Sequence, residues 1–306
     1  MAKATRFQNL HPVLGLSFGA FLISFSAVFV KAMDVEPTPA AFYRVFFGGI
    51  ILLVLHFRRL RYLWQDSLFI SVATLAGLFF AADLAFWHQS IEYVGPGLAT
   101  ILGNFQVFVL AAFGVLFYKE RMTLRLGSAF FLAMGGLFLI FGLDWSQLSG
   151  NYKIGILLGL ATAVCYASYV LVLRKLQFNA AGHSAGTILA VVSFASALFL
   201  GATSLVQGQS FTIPDIGNFG YLIAYAVFSQ VLGWILISRS LPEMDVSRTG
   251  LILLLQPGLA FVWDILFFSR PTKLIEIIGA IIALTAIYLG TVSRAGSGEK
   301  EPAEAS

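Results

Sequence analysis

Residues 79–90, FFAADLAFWHQS, place an aspartate, a tryptophan and a histidine within an otherwise apolar run. A carboxylate in such a run usually faces a cavity or a partner, so Asp83 is the first candidate for chemistry. On a helix, Trp87 and Ser90 follow Asp83 at i+4 and i+7 and share its face. His88 lies about 140° around the helix from Asp83, so these two side chains point in different directions.

Asp83 has two competing interpretations. In the first, its carboxylate binds an amino or cationic group of a solute, or carries a coupling proton. In the second, it is the structural partner of Arg44, which enters the preceding apolar run from the same side at similar depth. His88 lies near the end of its run, where a lone histidine is more often a satisfied interfacial group than a proton carrier.

Amide and aromatic side chains inside other apolar runs are further candidates. Asn104 of the first half lies at a place similar to that of Gln256 in the second half. Gln106 follows Asn104 by two residues. An amide in such a run either joins helices or contacts a ligand. Pro257 removes a backbone donor, which predicts a kink and allows a hinge. The remaining candidates, which either pack or line a cavity, are Tyr166, Tyr169, Gln230 and Trp234.

The composition predicts an integral membrane protein. Of the 306 residues, 58% are hydrophobic and 11% are charged, whereas a soluble domain has about 25% charged residues. The single cysteine, Cys165, excludes a disulfide framework, and the spacing of His, Cys and carboxylates fits no metal site. A net charge of +4 without a basic stripe argues against nucleic acid as a partner. We expect no cofactor.

Ten apolar runs are long enough to cross a bilayer, which takes about 20 residues. The connecting segments carry the Pro, Gly, Asp and Asn typical of loops. We therefore expect one transmembrane domain over 12–293, with a cytoplasmic segment 1–11 before it and a disordered cytoplasmic tail 294–306 after it. The predicted spans are 12–32, 39–57, 67–89, 95–117, 124–142, 153–174, 185–206, 217–238, 246–268 and 274–293.

The distribution of Lys and Arg predicts the orientation of these spans. If the N-terminus is cytoplasmic, 14 of the 19 basic residues lie in cytoplasmic segments and five lie outside or at outer helix ends. This bias is the one expected of membrane proteins, and an even number of spans returns the C-terminus to the cytoplasm. The first run has no small-residue cleavage site at its end, so we expect it to be retained as a helix.

The order of landmarks predicts an internal repeat. Residues 95–117 match 247–268, and an offset of 152 places Gly127 on Gly279. Near the front of each half is a GxxxG sequence, GLSFG at 15–19 and GILLG at 155–159, which favours close helix packing. Five spans per half is an odd number, so the halves, about 12–147 and 153–293, would be inverted relative to each other. Inverted repeats are typical of secondary transporters.

Several stretches of the sequence together resemble one known family. They are SFSAVFVKAM, AFYRVFFGGIILL, FFAADLAFWHQSIEYVGPGLAT, LFYKERMTLRLGSAFFLAMGGLFLI and LLLQPGLAFVWDILFF. With these stretches the chain resembles EamA-type members of the drug/metabolite transporter superfamily. The resemblance implies ten helices and a cavity, lined by helices 1, 3, 4, 6, 8 and 9, that opens alternately to each side. The chain departs from the family at two places: Phe105 stands where helix 4 often has a proline, and the second half has SRPTK where the first half has Glu120.

The expected function is secondary transport of a small organic metabolite. The resemblance implies amino acids or drug-like compounds, often exported across the cytoplasmic membrane of a bacterium. An intramembrane enzyme and a channel are the alternatives. The sequence contains no GxSxG, HExxH, GxxxxGK[ST] or GxGxxG, which argues against the first. The expected partners are the solute and the lipid bilayer, and a homodimer is left open.

Overall fold

Helices account for nearly all of the chain that the structure, a computed structural model, describes. The described residues are 12–60, 67–141, 150–179, 183–269 and 271–292, and they contain no strand. The predicted cytoplasmic segment 1–11 and tail 294–306 lie outside these residues. Several of the basic residues on which the predicted orientation depends also lie outside them: Lys3, Arg6, Arg61, Arg270, Arg294 and Lys300.

The helices alternate with short connections along both halves of the chain. Those of the first half are α1 (Pro12–Ser24), α2 (Ser26–Ala32), α3 (Pro37–Leu60), α4 (Ser67–Asn104), α5 (Gln106–Tyr118) and α6 (Leu124–Phe141). Those of the second half are α7 (Gly150–Phe178), α8 (Ala185–Val206), α9 (Ile216–Tyr225), α10 (Trp234–Ser240), α11 (Val246–Leu253), α12 (Leu255–Phe268) and α13 (Leu274–Val292). A π-helical stretch, Ala226–Gly233, joins α9 to α10, and a 3-10 turn, Leu241–Glu243, follows α10.

Eight segments of the described chain are long and apolar enough to cross a membrane. They overlap eight of the predicted spans. At the places of the fifth and tenth spans the apolar helices are shorter, Leu124–Ile140 and Leu274–Gly290. The structure therefore confirms an all-α protein with many membrane-spanning helices, and ten crossings remain a prediction.

Helix α4 extends further than the sequence predicts. The sequence predicts two spans, 67–89 and 95–117, with a connection between them, but one helix runs from Ser67 to Asn104. The break comes at Phe105, whose amide bonds to the carbonyl of Leu102 at 3.1 Å, a tightened i to i−3 contact. The Asn104 side chain donates to the carbonyl of Thr100 at 2.8 Å. A side chain that competes for a backbone acceptor in this way often bends a helix.

A similar break separates α11 from α12 in the second half. The amide of Leu254 bonds to the carbonyl of Leu251 at 3.2 Å. Three residues later, Pro257 has no N–H to offer to the carbonyl of Leu253, so regular hydrogen bonding stops here. The helix is therefore interrupted beside Pro257, while a kink and a hinge motion at this place remain predictions.

The ends of the helices give a different offset between corresponding residues of the two halves from the one that the sequence predicts. Helices α5 and α12 are each followed by a residue in the left-handed conformation, Lys119 (φ 55°) and Ser269 (φ 49°). These two residues are 150 positions apart, and α6 and α13 begin at the same spacing. The offset predicted from the sequence is 152 residues, which pairs Gln256 with Asn104. At a spacing of 150, the counterpart of Gln256 is Gln106.

Glycines allow several of these helices to pack closely. A Cβ atom on Gly19 of α1 would lie 2.7 Å from Cγ1 of Ile237, and one on Gly159 of α7 would lie 2.7 Å from Cβ of Leu102. Both belong to the predicted GxxxG sequences, so these glycines pack as predicted. The pairings of α4 with α7 and of α3 with α8 are among the most extensive helix contacts of the described chain.

Helices α6 and α13 meet at a mutual glycine contact. A Cβ atom on Gly136 would lie 2.5 Å from the carbonyl oxygen of Gly279, and one on Gly279 would lie 2.6 Å from the carbonyl oxygen of Gly136. Backbones can approach this closely only where side chains are absent. The contact therefore joins the last helix of each half.

We expect Gly136→Ala to lower the unfolding temperature of the detergent-solubilised protein. The added methyl group forces α6 and α13 apart, and overpacking of this kind costs about 1–3 kcal/mol. The neighbouring Gly135 provides a matched control because no atom lies within 4 Å of its Cβ position. Equal unfolding temperatures for Gly136→Ala and Gly135→Ala would contradict the proposed contact.

Candidate functional site

A cavity of about 450 Å³ lies between the helices of both halves. Its wall is formed by residues of α1, α2, α3, α4, α5 and α7, together with α9, α10, α11 and α12. Most of the polar and aromatic residues singled out in the sequence lie on this wall. They are Arg44, Asp83, Trp87, Asn104, Tyr166, Trp234, Gln256 and Pro257.

Asp83 lies on the cavity wall without a bonding partner for its carboxylate. The residue is only 7% exposed. Within the described chain the carboxylate makes neither an ion pair nor a hydrogen bond, although the Thr162 hydroxyl donates to the backbone carbonyl of Asp83 at 3.3 Å. One interpretation of the sequence requires a direct ion pair between Asp83 and Arg44, and this pair is not formed in the described chain. Both side chains line the same cavity.

Arg44 is held by neutral groups. Its Nε donates to Oε1 of Gln230 at 3.2 Å, and its Nη1 donates to the hydroxyl of Tyr225 at the same distance. The guanidinium carbon lies 5.0 Å from the ring centre of Tyr225 and 5.4 Å from that of Phe80, which are cation–π distances. Arg44 is 4% exposed, so these contacts replace most of its hydration.

Gln230 was a candidate for the cavity wall, but it lies behind Arg44. Its Nε2 donates to the hydroxyl of Ser193 at 2.9 Å while its Oε1 accepts from Arg44. A Cβ atom on Gly48 would lie 2.5 Å from Cγ of Gln230, so a glycine leaves the room that this side chain occupies. Gln230 therefore orients Arg44 rather than contacting the cavity.

The three amides near the helix breaks differ in how they are bonded. Asn104 donates to a carbonyl of its own helix, and Gln256 donates from Nε2 to the hydroxyl of Tyr166 at 3.2 Å. Gln106 is 3% exposed and lines the cavity. Its Oε1 accepts no hydrogen bond from any described residue. Gln106 is not among the predicted site residues, because an offset of 152 places Asn104, rather than Gln106, opposite Gln256.

Aromatic rings form a continuous cluster on one side of the cavity. The ring of Tyr169 stacks on Phe80 at 4.6 Å between centroids and meets Trp234 edge-on at 4.7 Å. Tyr166 lies 6.2 Å from Trp234. Tyr169 is fully buried and is not among the residues of the cavity wall, so it supports this cluster from behind, and a contact with a solute remains a prediction.

His88 lies away from the cavity. Its Nδ1 is 3.2 Å from the hydroxyl of Thr38, so the ring faces α3. The prediction that Asp83 and His88 point apart agrees with these positions. His88 is not among the residues of the cavity wall, and a role for it in proton coupling remains a prediction.

One end of the cavity reaches an exposed ion pair. Lys31 and Asp264, both on the cavity wall, are 2.5 Å apart, with side chains 51% and 25% exposed. The ammonium of Lys31 also lies 4.6 Å from the ring centre of Phe268. Nearby, Nε1 of Trp263 donates to the hydroxyl of Ser24 at 2.7 Å. These contacts tie α1 and α2 to α12 at the mouth of the cavity.

A second set of hydrogen bonds joins helices near Glu120, at the C-terminal end of α5 and the N-terminal end of α11. The Glu120 carboxylate, after α5, accepts from the amides of Val246 and Ser247 at 2.6 and 3.0 Å and thereby caps α11. From α7, Arg174 donates to the carbonyls of Leu241 and Met244 at 3.0 and 3.1 Å. This end therefore joins both halves through charge-assisted bonds.

Two matches to one family account for most of the chain. A model of the EamA-like transporter family matches residues 10–142 and, a second time, residues 153–292. The chain belongs to this family. The two matches fall on the first and second halves, so the cavity lies between two EamA-like segments.

Individual relatives agree with the family. An uncharacterized transporter of Haemophilus influenzae is 22% identical over 305 residues, which covers 92% of this chain and 95% of the relative. The uncharacterized transporter YyaM of Bacillus subtilis is 24% identical over 222 residues, or 69% of this chain and 68% of the relative. A crystal structure superimposes with a TM-score of 0.77 at 15% identity, covering 92% of this chain and 98% of the other, so the two share the fold.

We expect Gln230→Leu to lower the unfolding temperature of this EamA-like protein. The substitution leaves a buried guanidinium N–H without its acceptor, which costs about 1–3 kcal/mol or more for a charged group. Gln207→Leu is the control, since Gln207 is exposed at the end of α8. An unchanged unfolding temperature for Gln230→Leu would mean that Gln230 does not hold Arg44.

Proposed function

We propose that this chain is a secondary transporter that carries a small organic solute through the cavity by alternating access. The observation that carries the proposal is the burial of two ionisable side chains, Asp83 and Arg44, on the wall of one cavity between apolar helices. Ionisable groups at bilayer depth are costly, and they usually mark a solute or ion pathway. A cavity of about 450 Å³ has the size of a site for a small organic molecule.

The proposed topology has ten transmembrane helices in two inverted halves, with both termini in the cytoplasm. The two family matches and the common spacing of the left-handed residues Lys119 and Ser269 support a repeat. Helices α6 and α13 supply the fifth and tenth crossings, although they are shorter than the others. The positive-inside bias then assigns Lys31 and Asp264 to the outer side and Glu120 to the cytoplasmic side.

In this topology the structure corresponds to one state of the transport cycle. The cavity extends to the exposed Lys31 at the outer end. At the cytoplasmic end, the bonds of Glu120 and Arg174 hold the helices together. Opening toward the cytoplasm requires those bonds to separate while the helices of the outer end close, and the breaks at Phe105 and Leu254 are the places where bending costs least.

The proposed solute is an amino acid or another small amphipathic metabolite, and the proposed direction is export across a bacterial cytoplasmic membrane. Asp83 pairs with an amino group, Arg44 with an acidic group, and the rings of Trp87, Tyr166 and Trp234 contact the apolar part. Substrate-independent conductance would favour a channel instead, and formation of a product would favour an enzyme.

Reconstituted protein tests the proposal directly. We expect radiolabelled amino acids or amines, supplied as a panel, to include at least one whose uptake into proteoliposomes is saturable and is stimulated by the same unlabelled solute inside. This stimulation by counterflow is the signature of a carrier. Leakage that increases linearly with concentration for every solute would contradict the proposal.

We expect Asp83→Asn to reduce the counterflow rate of the transported solute at least tenfold while the protein still folds. The substitution keeps the shape of the side chain and removes its charge, so the unfolding temperature should change little. Asp34→Asn is the matched control, because Asp34 is exposed and lies off the cavity wall. If transport by Asp83→Asn kept both its rate and its dependence on pH, Asp83 would have no functional role.

A further inference from the structure

A second cavity, of about 410 Å³, opens at the surface where the start of α5 lies against α6. All seven residues that line it are apolar, and none of them lines the cavity between the two halves. Four are phenylalanines, Phe105, Phe108, Phe131 and Phe138, so we call it the phenylalanine groove. Phe131 is 72% exposed and Phe138 is 41% exposed. In a membrane-spanning protein, such an apolar surface faces the acyl chains of lipids.

The groove exists because one face of α6 lacks a side chain at its centre. Phe131, Gly135 and Phe138 follow one another at helical spacing and share that face. No atom lies within 4 Å of the Cβ position of Gly135, whereas the adjacent Gly136 packs against the backbone of α13. An apolar space of this kind does not hold water well. Its occupant must therefore be apolar.

Aromatic rings connect the two helices across the groove. The ring centre of Phe108 lies 5.5 Å from that of Phe105 and 5.7 Å from that of Phe131. The side chains on α5 and α6 therefore form one continuous apolar surface. A volume of about 410 Å³ lies within the range of sites that hold small organic groups, which is enough for a large part of an acyl chain.

Three basic side chains lie at the end of α5 and the start of α6. Lys119 and Arg121 belong to the connection between the helices, Arg125 belongs to the first turn of α6, and all three are exposed. None of them makes an ion pair within the described chain. The one carboxylate among them, that of Glu120, is bonded to the amides at the start of α11. Basic clusters at helix ends attract anionic lipid headgroups.

The distance between the basic residues and the groove matches one leaflet of a bilayer. Phe131 and Phe138 follow Arg125 by 6 and 13 residues, or ~9 and ~20 Å along the helix. Half of a bilayer with its headgroup region measures ~20–22 Å. A lipid whose phosphate lies beside Arg125 therefore places its acyl chain at the depth of the groove.

We propose that the phenylalanine groove binds an acyl chain of an anionic phospholipid whose phosphate is held by Lys119, Arg121 and Arg125. The groove takes the chain, and the basic residues select the negative headgroup. A second copy of this protein fits the groove less well, because two copies inserted in the same orientation would bring their basic residues together. The bound chain contacts Phe105, at the break between α4 and α5. The inference goes beyond the proposed transport function and does not depend on the solute.

Two lipids with the same acyl chains test the headgroup part of the site. Dioleoylphosphatidylglycerol is anionic, whereas dioleoylphosphatidylcholine has no net charge. We expect native mass spectrometry of the full-length protein in detergent to give a dissociation constant at least about fivefold lower for the first bound phosphatidylglycerol, since each basic residue contributes about this factor. The double variant Arg121→Gln/Arg125→Gln should lose this preference and bind phosphatidylcholine as the wild-type protein does.

A larger side chain at position 135 tests the groove itself. We expect Gly135→Leu to weaken the binding of both lipids at least about fivefold, the effect of removing one or two methylene groups from contact. The unfolding temperature without added lipid should not fall, because no atom lies near that Cβ position. Gly135→Met is a second variant of different shape. The control is Gly220→Leu on α9, since Gly220 is exposed, has no atom within 4 Å of its Cβ position and lines neither cavity.

Three results would overturn the inference. The first is an equal dissociation constant for the two lipids in the wild-type protein. The second is wild-type lipid binding by both Gly135 variants. The third is a wild-type dimer, measured by light scattering, that Gly135→Leu converts to a monomer, because a second copy would then occupy the groove. Each result leaves the counterflow experiment unaffected, so a failure of this site is distinguishable from a failure of the transport function.

Discussion

The burial of the Arg44 guanidinium is the constraint on which the rest of the site depends. A cation at 4% exposure must replace its hydration with protein contacts. Gln230 and the hydroxyl of Tyr225 supply acceptors, and the rings of Phe80 and Tyr225 supply their faces. Each contact comes from another helix, so a single charge fixes the relative positions of α3, α4, α9 and the π-helical stretch after it. Asp83 can then remain unpaired on the same wall, available to a ligand.

The two halves provide a frame that is similar in form and different in chemistry. Matched helix breaks and left-handed residues recur at a spacing of about 150, and the glycine contact between α6 and α13 joins the ends of both halves. Within that frame, Gln256 is bonded to Tyr166, whereas Oε1 of Gln106 has no partner among the described residues. The two halves therefore place different hydrogen-bonding groups at corresponding positions of the cavity wall.

The sequence predicted the helices well because hydropathy alone determines which segments can lie in a bilayer. It also found most of the wall, since Asp83, Asn104 and Gln256 are polar groups in apolar runs. It failed where the answer depends on contacts between distant segments. Gln230 and Tyr169 are a glutamine and a tyrosine, like Gln256 and Tyr166, which line the wall. They lie behind the wall because of how they pack against Arg44, Phe80 and Trp234, and the sequence does not show that packing. An error of two residues in the repeat spacing hid Gln106, because apolar sequences align equally well at several offsets.

The accessibility of the cavity wall from the two sides of the membrane tests the central claim most directly. Ala260, on the α12 wall, can be replaced by cysteine after Cys165, the single native cysteine, is changed to serine. The account predicts that a membrane-impermeant thiol reagent modifies this cysteine from either face, and that cross-linking cysteines placed at Lys31 and Asp264 abolishes modification from the outer face alone. Two results would contradict a solute path with alternating access. One is modification by a lipid-soluble reagent only, and the other is modification from a single face both with and without the cross-link.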